Sequence, residues 1–274
     1  MGLTRELGHV SLPLLSGRAV VSDAVAWSVP EMAAVPANAY EAAVWAAGQS
    51  MAYAKEKTPF LALRSKVLAS PRRPNPFVDR LTASADVAVL TRLTAGVAGA
   101  ATPAAGAVGV AVSAAADITR ARVAADAGLL ASGDGSGGGG VVLAADLVAG
   151  GYAVWAARLA GADAVVVPAA VFGGDDLRYL IKAVAVGGAV AVVEVHDAPQ
   201  AAVVRALAEA GVPVGGVLLC ARNLDTLEGG TGGMADLYDA LGGDAYRAAG
   251  GVVLADPAGE DWAVVAPLLD AVIL

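Results

Sequence analysis

The chain has 274 residues, a formal net charge of −8 and a pI near 4.7. That acidic balance argues against sequence-independent binding of nucleic acid, which needs basic surface. The length fits one large α/β barrel or two smaller domains. Cys220 is the only cysteine, which excludes an internal disulfide framework and any multi-cysteine metal site. The two histidines, His9 and His196, speak against a His-rich one. The expected inventory is therefore no metal, no cofactor, a small-molecule substrate and no nucleic-acid partner. The N-terminus lacks the apolar core and cleavage site of a signal peptide, so the cytosol is the expected compartment.

In chain order, residues 1–56 predict two or three helical pieces. The clearest is Asn38–Ala54, with Pro36 before it and Trp45 and Met51 on its apolar stripe. Thr58–Leu68 alternates Leu61, Leu63, Ser65 and Val67 against Phe60, Ala62, Arg64 and Lys66, the period of a strand. A Pro-rich loop with Arg72 and Arg73 follows, and then a second strand, Val87–Arg92. Leu93–Ala116 carries no charge and is long enough to cross a bilayer, yet its Ala, Gly and Thr content is weakly apolar. A membrane span is not expected there. A helix is expected around Ala111–Leu130. The tract Gly135–Gly140 matches G-x-G-x-x-G formally, but it precedes a strand, so it reads as a loop.

From Val141 the pattern is regular. Strands at Val141–Leu147, from Gly161, at Val190–Val195, Gly216–Leu219, Gly251–Asp256 and Ala271–Leu274 alternate with helices at Tyr152–Ala160, Asp175–Val186 and Gln200–Ala210. Several strands end in polar groups, among them Glu194, His196, Asp197, Cys220, Arg222 and Asn223. Parallel strands joined by helices place their working groups at those C-terminal ends.

The wording VEVHD (193–197) and ARNLDTLE (221–228) resembles the fifth and sixth barrel strands of the indole-3-glycerol phosphate synthase family. Val87–Arg92 is similar to that family's SVLTE, with Arg92 in place of a glutamate. The resemblance implies a (β/α)8 TIM barrel over 57–274 behind an N-terminal helical cap, 1–56, with a long insertion at about 93–140. It also implies a lyase that closes an indole ring in tryptophan biosynthesis. Two registers are open for the first strand. Counted from Thr58-Pro59, Lys66 falls on the family's lysine and Arg64 on its glutamate. Counted from Ser70-Pro71, Val67 and Ser65 take those places.

By the same resemblance Glu194, Lys66 and Asp146 are the catalytic candidates, and Arg64, Arg92, Cys220, Arg222, Asn223 and Asp256 the substrate-binding ones. A carboxylate such as Glu194, partly desolvated at a barrel mouth, is expected to hold a proton near neutral pH. A structural, hydrogen-bonded role is expected for His196. The chain departs from the family at Ala145, where a general-acid lysine is usual, and at Asp256-Pro257-Ala258, where a phosphate-binding turn is usual. The alternatives are a repurposed cyclase for a less polar, phosphate-free substrate, or a barrel that binds without catalysis.

Overall fold

A computed structural model describes residues 12–13, 19–20, 36, 38–71, 74–83, 86–93, 107–113, 115–126, 140–146, 148–172, 174–220, 222–226, 233–257 and 265–274. Eight parallel strands close a barrel. They are β1 (Ala88–Leu93), β2 (Gly109–Val112), β3 (Val141–Ala144), β4 (Ala164–Pro168), β5 (Val190–Val195), β6 (Val214–Cys220), β7 (Val252–Asp256) and β8 (Ala271–Ile273), and β8 pairs back onto β1. Helices α1 (Ala39–Ser50), α2 (Ala52–Lys57), α3 (Phe60–Ala69) and α4 (Phe77–Thr82) precede the barrel. Helices α5 (Ala115–Asp126), α6 (Gly151–Ala160), α7 (Gly174–Val186), α8 (Ala198–Glu209), α9 (Met234–Leu241) and α10 (Gly243–Ala248) stand between strands. This is the (β/α)8 TIM barrel with an N-terminal helical extension.

Alternation along each strand sorts the core into two layers. Leu90, Ala111, Leu143, Val166, Val192, Leu218 and Leu254 fill the barrel interior. Val110, Val142, Val165, Val193, Val217 and Val253 face the helices. The short helix α4 adds Phe77 and Leu81, both fully buried, to the interior layer. Just before α4, the Asn75 amide donates to the carbonyls of Asp163 and Gly188, which precede β4 and β5. Helix α4 therefore plugs the N-terminal end of the barrel.

Two expectations need correction. Thr58–Leu68 is not a strand; from Phe60 it is helix α3. Only Leu63 and Val67 are buried there, an i, i+4 pair that serves a helix as well as alternation serves a strand. The interval 93–140 is not an insertion either, because it supplies β2 and α5. The misread strand and the missed one offset each other in the count of eight. Val87–Arg92 is thus the first barrel strand. No helix among the described residues is long and apolar enough to cross a membrane. Residues 94–106 of the uncharged stretch, Arg72, Arg73, most of the Gly-rich tract and nearly all of residues 1–35 lie outside the described residues.

Candidate functional site

The site follows from strand parity at the C-terminal ends. Glu194 lies two residues past Val192 and so faces inward, as do Arg92 past Leu90 and Asp256 past Leu254. On β6 the parity is reset by a bulge. Val214 pairs with Ala191 and Gly216 with Val192, which leaves Gly215 as the extra residue. Were Gly215 part of a regular alternation, Leu218 and Cys220 would share the parity of Val214 and face the helices. With the bulge they face the interior, and Cys220 pairs with Asp256 across β7.

His196 is placed by the start of α8. Asp197 caps the helix, its Oδ1 accepting from the Gln200 N–H at 2.8 Å and its Oδ2 from the Gln200 side-chain amide at 2.8 Å. Gln200 Oε1 in turn accepts the His196 N–H at 2.9 Å. This is a capping box, and it fixes the backbone from which the imidazole projects. The His196 side chain is 2% exposed, and its Nε2 lies 2.9 Å from Glu194 Oε1. That contact pairs the imidazole with the carboxylate, although off the line of a straight N–H···O bond, and Nδ1 has no partner at all.

Tyr40 on α1 closes the cluster from above. Its hydroxyl donates to Glu194 Oε2 at 2.9 Å, and its ring meets the His196 imidazole edge-on with centroids 5.2 Å apart. Helix α1 is held there by the Tyr40 N–H donating to the Leu224 carbonyl at 3.0 Å, and Asn38 caps its start. On the far side Arg92 Nη2 and Arg222 Nη2 each stand 2.8 Å from Asp256 Oδ2.

Burial pushes the Glu194 carboxyl up, but His196, the Tyr40 hydroxyl and Arg222 together hold it below the usual carboxylate range. It is ionised at neutral pH, which reverses the expectation that it stores a proton. Burial, then the Glu194 charge and hydrogen bond, raise the Tyr40 phenol well above its ordinary value. Burial followed by the Glu194 and Asp256 charges raises the Cys220 thiol in the same way. Both stay neutral on their own, and a thiol so placed is a poor nucleophile.

Of the sequence candidates, Glu194, Cys220, Arg222, Asp256 and Arg92 come together at this mouth. Asp146 sits two residues past β3 at the same end of the barrel. Arg64 and Lys66 do not join them. Both are exposed on α3, outside the barrel, with Arg64 stacked 5.9 Å over the Trp155 ring of α6. Asn223 is exposed and its Oδ1 accepts from the N–H groups of Asp225 and Thr226, so it shapes a turn. Tyr40 was missed because nothing local ties a tyrosine in a helix to a carboxylate 154 residues away. Among the described residues, Glu194, His196 and Cys220 form a group able to hold a metal, their donor atoms all within 4.8 Å of one another.

No protein-family model matches the chain. Among solved structures it is similar to a phosphonopyruvate hydrolase, at 15% identity and a TM-score of 0.50, over 73% of this chain and 80% of that one. An HpcH/HpaI aldolase/citrate lyase family protein from Burkholderia cenocepacia J2315 gives 16% identity and a TM-score of 0.47, over 73% and 92%. A citrate synthase variant gives 12% identity and a TM-score of 0.46, over 72% and 89%. At these identities the likeness shows the barrel fold. The resemblance to indole-3-glycerol phosphate synthases is thereby corrected. The barrel that matches at a TM-score of 0.50 carries another name, no family model supports the resemblance, and the segment meant to supply its strand-one lysine is an outer helix. The indole ring closure, the link to tryptophan biosynthesis and the repurposed cyclase fall with it.

Proposed function

We propose that the protein is a lyase-type enzyme that binds a small carboxylate-bearing molecule at the C-terminal mouth of the barrel. The observation that carries this reading is the arginine pair, Arg92 and Arg222, sharing the single carboxylate of Asp256. The two cations are also the accessible partners, with 28% and 32% of their side chains exposed against 9% for Asp256. A molecule arriving from solvent meets guanidinium first, and the planar fork of guanidinium matches a carboxylate at two points. Cleavage of a bond one carbon away from a carbonyl leaves its electron pair as an enolate. That charge is stabilised by fixed cations in a site holding little water. Glu194, ionised and hydrogen-bonded, is the site's fixed anion. The fold shared with a phosphonopyruvate hydrolase is compatible with this reading and does not carry it alone.

The test is incubation of the purified chain with a panel of 2-oxo and 3-hydroxy acids beside their neutral amides, with products read by mass spectrometry. An acid is cleaved and its amide is not. Arg92→Met and Arg222→Met each lower kcat/KM about 10- to 100-fold, the worth of one charged hydrogen bond. Each variant leaves Asp256 paired with the other arginine, so the barrel stays folded. Failure of every acid to react with the folded protein, or variants as active as the parent, overturns the reading.

A further inference from the structure

We infer that the same mouth holds a transition-metal ion of the zinc type, bound by Glu194, His196 and Cys220. This departs from the metal-free expectation drawn from counting histidines and cysteines, because the set is mixed and drawn from two neighbouring strands. It deepens the reading of the mouth as the working site but rests on separate observations.

The first observation is proximity. A carboxylate oxygen, a ring nitrogen and a thiol sulfur lie within 4.8 Å of one another. Zinc bonds of roughly 2.0–2.3 Å put donors about 3–4 Å apart around one ion, so small side-chain rotations close the set. The second is the unmet imidazole. His196 is almost wholly buried, yet its Nδ1 has no partner and its Nε2 meets only Glu194, off the line of a straight hydrogen bond. Burying such atoms unpaired is costly, and a metal bond to one of them relieves that cost.

The third observation is the support around the donors. The Tyr40 hydroxyl takes Glu194 Oε2 and leaves Oε1 on the side of His196. Outer contacts of this kind orient metal ligands. The capping box from Asp197 and Gln200 fixes His196 from the backbone side.

The donor chemistry selects the ion. Sulfur and imidazole favour zinc and its neighbours over magnesium or calcium, which prefer oxygen alone. Binding forms a metal–sulfur bond, and the Cys220 S–H proton leaves to water. Arg92, Arg222, Asp256 and Glu194 together are neutral when ionised. A divalent ion with one thiolate adds a net single positive charge, which strengthens the pull on a carboxylate. Three protein donors leave a position for an oxygen of that ligand.

Cobalt(II) is the probe. The reduced, chelator-treated full chain is titrated with cobalt and followed by near-ultraviolet absorption. The expected result is uptake of one equivalent with a thiolate-to-cobalt charge-transfer band, erased by added zinc. Cys220 is the only cysteine, so the band reports that residue even if a Cys220 variant fails to fold. His196→Gln loses the band, and Tyr40→Phe keeps it with affinity lowered roughly 10- to 100-fold. Absence of uptake, uptake without the band, or unchanged binding in His196→Gln overturns the site. No substrate is present, so a failed cobalt titration leaves the carboxylate reading standing, and a failed acid panel leaves the metal site standing.

Discussion

The two ends of the barrel treat their buried polar groups differently. At the N-terminal end Asp163 accepts from the Arg122 guanidinium at 2.7 Å and from the Val142 N–H at 2.9 Å. Asp270 likewise accepts from Arg247 at 2.7 Å and from the Val253 N–H at 2.8 Å. Each acid ties a cation to a strand start, below a plug of Phe77 and Leu81. At the C-terminal end the donors come from distant segments, and atoms remain unmet. His196 Nδ1 lacks a partner, as does Asp176 Oδ2 in the first turn of α7. The lower end ties its acids to strand starts and holds the barrel shut, with the Arg122 Nε left as a buried atom without a partner. The other keeps chemistry in reserve, which is where real proteins depart from ideal folding rules.

The contrast breaks most visibly at the plug. Phe77→Ala opens a cavity in a fully buried site and costs about 3–5 kcal/mol in urea unfolding. Ligand binding per folded molecule stays unchanged.

Asp176 gives an intermediate effect with a pH signature. Burial, helped by the Asp175 charge, raises its carboxyl to about 7. A carboxyl raised on folding costs stability as pH climbs from its unfolded value, near 4, to its folded one. Asp176→Asn therefore stabilises the protein by on the order of 2 kcal/mol at pH 8 and by roughly a third to a half of that at pH 5. Denaturation midpoints at the two pH values check this.

The smallest effect sharpens the comparison. His196→Leu costs metal-free stability about 1 kcal/mol, because the buried Glu194 carboxylate loses the imidazole that faces it and keeps Tyr40 and Arg222. Thermal unfolding after chelation reads it. An equal-volume change at Asp270 of the lower end has no such licence.

The sequence was most legible where strands and helices alternate with clean breaks. From Val141 onward every expected strand is present, with no end shifted by more than three residues and Val190–Val195 matching at both. Earlier, Thr58–Leu68 suited both periods, and its alternation was read as a strand although Leu63 and Val67 serve a helix equally well. β2 was hidden because Gly109–Val112 lies inside an Ala, Gly and Val run where no period stands out. Glu194, Cys220, Asp256 and Arg92 were singled out through polar strand ends and the resemblance, and strand parity accounts for their meeting, although the bulge at Gly215 left no sign beyond a Gly-Gly pair. Tyr40 and the unmet state of His196 belong to tertiary packing, which no local pattern carries. The direction of the Glu194 shift needed both of them. Burial alone pointed the other way.

Titration calorimetry of the folded protein with a 2-oxo acid and its amide tests most directly whether the C-terminal mouth is the working end. The account predicts that the acid binds, the amide does not, and Arg222→Met loses the acid while Phe77→Ala retains it. Acid and amide binding alike, or acid binding indifferent to Arg222, would contradict it.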